Sequence, residues 1–211
     1  MDSQSKGVTM TGVERLESYE EKLRDAHGPP EEGIITVSGL AWVGSTTVAE
    51  IVSEELDMDL VTSGGFFRRE AEKKGLELTE FFEKHRNPEK GPGPDLMWDR
   101  RVLGLAFTRS DVVLEGRMTG ILLSDIAEVR VLVKCDNGVA AERMAEEQEI
   151  DLDEARKKLE RRNSQDIKTY KEKYGVDVTD EKHYTVVVDN SGPLKETREK
   201  TLKKVREKLE N

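Results

Sequence analysis

The residues with the clearest potential for chemistry form a glycine-bounded segment, Gly39-Leu40-Ala41-Trp42-Val43-Gly44-Ser45-Thr46. Its glycines and Thr46 have the spacing of G-x-x-x-x-G-K-[ST], a pattern in which backbone N–H groups and a helix N-terminus hold phosphate oxygens. The hydroxyl of Thr46, or of Thr47 beside it, is of the kind that coordinates Mg²⁺ bound to a nucleotide. Residues 39–46 therefore indicate a phosphate-binding loop, called the phosphate loop below.

One residue of this loop departs from the pattern. Ser45 stands where a lysine would reach the β- and γ-phosphates, and Trp42 and Val43 are bulky for a chain that wraps phosphate. An ordinary turn between a strand and a helix would also explain the segment. From the loop alone, nucleotide binding and a plain turn are equally open.

Arginines elsewhere could supply the charge that the loop lacks, because arginine is planar, always charged and suited to phosphate. Arg68 follows the second predicted strand at the start of a helix, and Arg117 lies just beyond the strand at 112–114. Three more arginines lie on two charged helices: Arg143, Arg161 and Arg162. The alternative for the helical arginines is a solvated surface with ion pairs between residues four apart.

The elements that must position these residues alternate between strands and helices from Gly33 onward. Apolar, β-branched runs predict strands at 34–38, 60–61, 112–114, 129–133 and 185–188. Helical spacing predicts helices at 46–56, 66–74, 79–84, 95–107, 139–148, from near 152 toward 170, and 194–209. This alternation predicts a three-layer α/β fold with a parallel sheet, whose ligands bind at the carboxyl ends of the strands.

Residues 1–32 are predicted to be a partly flexible helical extension. Thr11 and Glu14 form a capping-box pattern, and an apolar stripe follows at Val13, Leu16, Tyr19 and Leu23. The pattern predicts one amphipathic helix that ends before His27. Docking on the domain and binding to a partner remain alternatives for this helix.

Composition narrows the class of protein. The 211 residues suffice for one domain, and although 37% of them are charged, the apolar residues cluster in periodic blocks. The net charge of −10 argues against a nonspecific nucleic-acid binder. Cys135 is the single cysteine, and we expect it to be an inert residue at a strand end. With no signal peptide and no membrane-spanning run in the sequence, we expect a cytoplasmic protein.

Other chemistries have little support in the sequence. The three histidines, His27, His85 and His183, lack the spacing of metal ligands, so we expect Mg²⁺ only with a nucleotide. No N-K-x-D segment that would read guanine follows a predicted strand, and the G-x-S-x-G pattern of hydrolases is absent.

Taken in order, five segments resemble the archaeal-type cytidylate kinases, a branch of the P-loop nucleoside monophosphate kinases. The segments are 34–47, Ser63-Gly64-Gly65-Phe66-Phe67-Arg68, 95–101, Val113-Leu114-Glu115-Gly116-Arg117 and 170–177. The resemblance runs from about Gly33 to Ser191. It implies the three-layer P-loop NTPase fold over residues 33–211, with a monophosphate-binding segment near 63–107 and a lid near 140–175.

The resemblance also implies the reaction and the residues that carry it. ATP, with Mg²⁺ on Thr46, would donate its γ-phosphate to CMP or dCMP, and residues 39–47 would bind ATP. The implied acceptor-binding residues are Ser63, Gly64, Arg68, Asp99, Arg100, Arg101, Gly116 and Arg117. The implied catalytic residues are the lid arginines Arg143, Arg161 and Arg162.

This chain departs from the family pattern beyond Ser45. Val139, Glu147 and Thr169 stand where the family usually has arginine. These departures leave open a catalytically impaired relative that binds nucleotide as a regulatory or scaffold module. A kinase of the same fold with another acceptor, such as UMP, AMP or a small metabolite, is also open, and the chain could be a monomer or a homodimer.

Overall fold

The computed structural model describes residues 12–85 and 93–210. A sheet of five parallel strands forms its centre: β1 (Ile34–Gly39), β2 (Asp59–Thr62), β3 (Val112–Glu115), β4 (Val129–Lys134) and β5 (Val186–Asp189). The strand order is β2-β3-β1-β4-β5. The inner strands are near-continuous apolar runs because both of their faces are covered by helices. The predicted parallel sheet is confirmed, and the strand order places β1 at its centre.

Nine helices surround the sheet in the described residues. They are α1 (Gly12–His27), α2 (Ser45–Leu56), α3 (Ser63–Lys73), α4 (Leu78–His85), α5 (Pro94–Ala106), α6 (Thr119–Leu122), α7 (Asn137–Gln148), α8 (Leu152–Tyr174) and α9 (Leu194–Leu209). The four-residue α6 was not predicted, since one turn is too short to show helical periodicity. Thr11 of the predicted capping box lies outside the described residues, and so do most of residues 87–94, whose prolines and glycines indicate a loop.

Each face of the sheet has its own apolar core. On one face α2 and α9 pack against the strands, with Val48, Val52 and Val205 fully buried. The opposite face carries α5 and a larger cluster that includes Trp98 and Leu103. Two helical layers around one sheet make the three-layer α/β fold that the sequence predicts.

A third, small cluster lies between α7 and α8. It is built from Ala140, Ala141, Met144, Ala155 and Leu159, and it includes Ala41 of the phosphate loop. Small residues allow the two helices to approach closely, so α7 and α8 form a packed helical hairpin. The hairpin is thereby joined to the phosphate loop through apolar contact.

The N-terminal helix packs on the domain. Leu16 and Leu23 of α1 are buried in the core that also contains α5, and α1 contacts both α5 and α8. The guanidinium of Arg24 lies 5.4 Å from the centre of the Phe107 ring. Within the described part of the chain, no helix has the length and apolar character needed to cross a membrane.

Candidate active site

The phosphate loop leads from the central strand into a helix whose first N–H groups lack a side-chain cap. β1 ends at Gly39, α2 begins at Ser45, and the N-cap residue Gly44 has a left-handed φ of 82°. Glycine is needed at this position for two reasons. Its backbone is left-handed, and a Cβ there would lie 2.3 Å from Asn190 Nδ2. An uncapped helix N-terminus at the end of a central parallel strand is an anion site.

The shape of the loop is fixed from the neighbouring sheet edge by Asn190. This buried residue follows β5, donates a hydrogen bond to the Val43 carbonyl oxygen at 2.8 Å, and accepts one from Thr197 Oγ1 at 3.0 Å. Sequence reasoning missed Asn190. Its position directly after a predicted strand was the available signal, since strand ends in parallel sheets meet at one edge.

Ser45 contacts a carboxylate in the position where the pattern has lysine. Ser45 Oγ donates to Glu115 Oε1 at 2.9 Å, and Ser63 Oγ donates to Glu115 Oε2 at 3.4 Å. Burial raises the pKa of Glu115 above its ordinary value, and the hydrogen bond from Ser45 and the charge of Arg117 oppose that rise. Glu115 thus connects the phosphate loop to the start of α3, and the sequence prediction did not include it as a site residue.

A cavity of about 210 Å³, the transfer cavity, adjoins this carboxylate. It is lined by Gly39, Leu40, Ala41, Trp42, Ser45, Thr46, Ser63, Glu115, Arg117 and Arg162. The cavity therefore joins three parts of the molecule: the phosphate loop, the acceptor-side strand end of β3, and helix α8. These are the parts that phosphoryl transfer between two nucleotides would have to bring together.

Two guanidinium groups give the transfer cavity its positive charge. Arg117 Nε lies 2.6 Å from Asp166 Oδ2 of α8. The pKa of Arg162 is lowered, first by partial removal from water and then by the like charge of Arg117, while Asp166 opposes this shift. Like charges held together are unfavourable until an anion lies between them. An anion such as a phosphate group would relieve this repulsion.

A second cavity of about 500 Å³, the outer cavity, lies against the same loop. Its lining residues are Trp42, Gly44, Ser45, Thr46, Thr47, Arg143, Glu146 and Glu147. Arg143 is held here by hydrogen bonds to the Asn190 carbonyl oxygen at 2.8 Å and to Cys135 Sγ at 3.5 Å. The pKa of the Cys135 thiol is raised, mainly by burial, which keeps it a weak nucleophile as expected.

The predicted acceptor residues near β2 and β3 are placed around one region. Ser63 lines the transfer cavity, and the exposed Arg68 folds its guanidinium back toward Gly64 on the same helix, 3.4 Å from where a Cβ would stand. A Cβ on Gly116 would lie 2.5 Å from Nε1 of Trp98. Gly116 is therefore needed for close approach of the indole.

Trp98 is a further residue of this region that sequence reasoning missed. It is buried, its ring centre lies 5.5 Å from that of Phe66, and its Nε1 has no hydrogen-bond partner among the described residues. A tryptophan at helical spacing is ordinarily a core residue, so the pattern carried no functional signal. The unpaired N–H is the feature that only the structure reveals.

The predicted Asp-Arg-Arg segment on α5 does not reach the transfer cavity as a unit. Asp99 is buried and accepts a hydrogen bond from Tyr174 Oη at 2.6 Å. The Arg100 guanidinium lies 5.5 Å from the ring centre of Tyr19 in α1, and Arg101 is exposed. Consecutive helical residues point about 100° apart, so three in a row cannot face one ligand.

The same geometry separates the two adjacent arginines of α8. Arg162 lines the transfer cavity, whereas Arg161 belongs to the lining of neither cavity. Arg143, the third predicted lid arginine, lies in the outer cavity. Of the three predicted catalytic residues, the structure thus brings only Arg162 to Arg117.

The oxygen atoms around the transfer cavity fit a magnesium ion that arrives with phosphates. Thr46 is exposed at the start of α2, and Glu115 and Ser63 add a carboxylate and a hydroxyl to the same cavity. Mg²⁺ prefers such hard oxygen donors and is usually bound by one or two protein ligands together with substrate phosphates. Across residues 12–85 and 93–210 there is no cluster of three histidine, cysteine or acidic side chains that would hold a metal on its own.

A phosphate loop after the central strand, a helical hairpin beside it and paired arginines define a P-loop phosphotransferase of the nucleoside monophosphate kinase class. Residues 97–192 match the cytidylate kinase-like family. The cytidylate kinase of Methanopyrus kandleri is 36% identical over 167 residues, which cover 75% of this chain and 84% of that protein. That of Methanothermobacter thermautotrophicus is 34% identical over 158 residues, covering 75% and 95%. The chain belongs to the cytidylate kinase-like family, and the resemblance seen in the sequence is confirmed.

A solved structure supports the fold independently of sequence. The shikimate kinase of Bacteroides thetaiotaomicron superposes with a TM-score of 0.59 at 14% identity, over 84% of this chain and 98% of that one. At such low identity the likeness concerns the fold alone. It confirms the predicted P-loop kinase architecture.

The contact between Asp99 and Tyr174 predicts a pH-dependent stability. Burial, opposed by the Tyr174 hydrogen bond, raises the pKa of Asp99 from 3.8 to about 7. Between these values the folded protein binds more protons than the unfolded chain, so stability falls as pH rises through that window. Asp99→Asn removes the titration and keeps an oxygen that accepts from Tyr174.

Between pH 5 and pH 8 we expect the free energy of unfolding of the wild type to fall by about 2.5 kcal/mol more than that of Asp99→Asn. Each pKa unit corresponds to about 1.4 kcal/mol, and about two units of the window lie below the folded pKa of about 7. Urea unfolding of both proteins at the two pH values measures this difference. Parallel pH profiles for the two proteins would show that Asp99 ionises freely in the fold.

Proposed function

We propose that this kinase transfers the γ-phosphate of Mg-ATP to CMP or dCMP. The observation that carries the proposal is the transfer cavity, in which the phosphate loop, Ser63 at the start of α3, and the guanidinium groups of Arg117 and Arg162 meet. The names of the relatives support a pyrimidine acceptor. In the reaction, the bond between the γ-phosphorus and the β,γ-bridging oxygen breaks. A bond forms from that phosphorus to an oxygen of the acceptor monophosphate, giving ADP together with CDP or dCDP.

Donor phosphates would lie along residues 39–46. The uncapped N–H groups of the first turn of α2 would bind phosphate oxygens, and Thr46 would supply a ligand to the Mg²⁺ that accompanies the nucleotide. When bound, Mg²⁺ would neutralise part of the phosphate charge. Ser45 would act indirectly, because its hydroxyl is already directed to Glu115.

The acceptor monophosphate would be held on the opposite side by Arg117 and Arg68. Arg117 follows β3 and is oriented by Asp166, so its position is fixed by two elements, whereas Arg68 is exposed and free to turn toward a ligand. A planar guanidinium can donate two parallel hydrogen bonds to one phosphate. The carboxylate of Glu115 would hold the phosphate loop and α3 at a fixed separation.

Transfer itself needs charge neutralisation and exclusion of water more than a covalent catalyst. Arg162 and Arg117 would stabilise the negative charge on the transferring group, and that charge would in turn relieve their mutual repulsion. Helix α8 lies over the loop, since Asn163 Oδ1 accepts a hydrogen bond from the Ala41 N–H at 3.2 Å. This contact would help to keep water away from the γ-phosphate.

The acceptor is tested by measuring ADP release from Mg-ATP with CMP, dCMP, UMP, AMP and GMP in turn. We expect CMP and dCMP to give the highest kcat/KM. Turnover with UMP or AMP and none with CMP would replace the cytidylate assignment by another acceptor. Binding of ATP and CMP without any ADP release at high enzyme concentration would instead indicate a regulatory, inactive relative.

Arg162→Met is expected to lower kcat by about 100-fold or more, because one charged donor to the transferring group is lost. The affinity for CMP should change little, since Arg117 and Arg68 remain. Lys168→Met is the matched control: it lies on the same helix and is exposed, with only a 3.8 Å ion pair to Glu172. Equal activities of the two variants would exclude Arg162 from the transfer step.

Ser45→Lys tests whether the loop lacks a cation. A lysine at this buried position would lie beside Glu115 and would pair with that carboxylate in place of the present 2.9 Å hydrogen bond. We therefore expect kcat for CMP to stay equal or to fall. A rise of about 10-fold or more would show that the native loop is impaired and that Arg117 and Arg162 do not replace the lysine.

A further inference from the structure

Trp42 has a backbone conformation that its residue type disfavours. It lies in the phosphate loop with a φ of 67°, in the left-handed region where a Cβ is unfavourable and glycine is the usual choice. Such strain is retained only where the surroundings impose it, and it concentrates at ligand sites. The presence of the largest side chain at this strained position therefore indicates a functional role for Trp42.

The Trp42 side chain lies between the two cavities. It is half-buried and packs against the cluster of small residues between α7 and α8, which includes Ala140, Ala141 and Met144. The same residue lines both the outer cavity and the transfer cavity. Its indole thus stands where a molecule entering from the outer cavity toward the phosphate loop would pass.

The charges of the outer cavity determine which end of a nucleotide would lie there. At one side it is lined by the first turn of α2, whose N–H groups attract phosphate, and at the other by Glu146 and Glu147 of α7, whose carboxylates would repel it. The base of a bound nucleotide would accordingly lie toward the glutamates, beside the anchored Arg143. Carboxylates also accept hydrogen bonds from the amino group of a purine.

We propose that Trp42 is a binding residue for the phosphate donor, whose indole stacks on the purine base of ATP at the entrance to the phosphate loop. This inference rests on the proposed function. An indole offers a flat apolar surface on which any base can stack, so this contact does not by itself select one base over another. Selection for an amino-bearing purine would then come from Glu146 and Glu147.

Fluorescence gives a direct readout, because the chain contains two tryptophans, Trp42 and Trp98. In a Trp98→Phe variant the emission reports Trp42 alone. We expect ADP to quench or shift this emission, and inorganic tripolyphosphate, which has phosphates but no base, to leave it nearly unchanged. An emission that does not respond to saturating ADP would overturn the proposal.

Trp42→Gly separates recognition from loop shape. Glycine suits a φ of 67°, so a purely structural residue would be replaced without loss of binding. We expect calorimetry to show about 10-fold weaker ADP binding and unchanged tripolyphosphate binding, since stacking on an aromatic residue typically contributes such a factor. Trp42→Phe should keep ADP affinity within about 3-fold of the wild type, because a flat ring remains. Equal weakening of both ligands, or of neither, would overturn the role.

Trp42→Leu covers the case in which glycine loosens the loop too far to fold. Leucine keeps apolar packing against α7 and lacks a ring, so we expect the same selective loss of ADP affinity, with folding checked by circular dichroism. The proposed function is decided separately by CMP phosphorylation in the wild type. If the wild type phosphorylates CMP and the Trp42 substitutions leave ADP affinity unchanged, this inference alone is refuted. If the wild type is inactive and the substitutions weaken ADP binding, only the proposed kinase activity is refuted.

Discussion

The hydrogen bond from Ser45 Oγ to Glu115 Oε1 joins the two strand ends on which the site depends. Ser45 opens the helix after β1, and Glu115 ends the neighbouring strand β3 and also accepts from Ser63. A buried carboxylate is tolerated only when it is hydrogen-bonded, so this group fixes the separation of the phosphate loop and the acceptor-side helix. Ser45, which stands where the pattern has a charged lysine, therefore takes part in fixing the separation of the phosphate loop and α3.

Positive charge reaches the site from other elements instead. Arg117 extends from the end of β3 and Arg162 from α8, and Asp166 holds the first of them in place. A lysine in the loop would be attached to the phosphate loop alone, whereas Arg117 joins the end of β3 to α8 through its ion pair with Asp166. The positive charge of the transfer cavity therefore comes from the end of β3 and from α8, and not from the phosphate loop.

The fold was largely predictable from the sequence, and the site only in part. The positions of the buried strands were predictable because β-branched runs mark them. The order of the strands in the sheet was not, because local sequence carries no information about which strands pair. Arg117, which was chosen for its position after a strand, lies on the transfer cavity because the carboxyl ends of parallel strands share one edge. Adjacent helical residues that were grouped together point apart: Arg100 lies over Tyr19, and Arg162 but not Arg161 lines the transfer cavity. Asn190 lay at a strand end and could have been found by the same rule.

Helix α8 contacts three different parts of the molecule along its length. Asn163 reaches the phosphate loop, Asp166 reaches Arg117 after β3, and Tyr174 reaches Asp99 of α5. Each contact is modest, about 1 kcal/mol for a hydrogen bond and less for a partly exposed ion pair. Because one rigid helix carries all three, a shift that breaks one strains the others. Helix α8 therefore ties the phosphate loop, the end of β3 and α5 to one another.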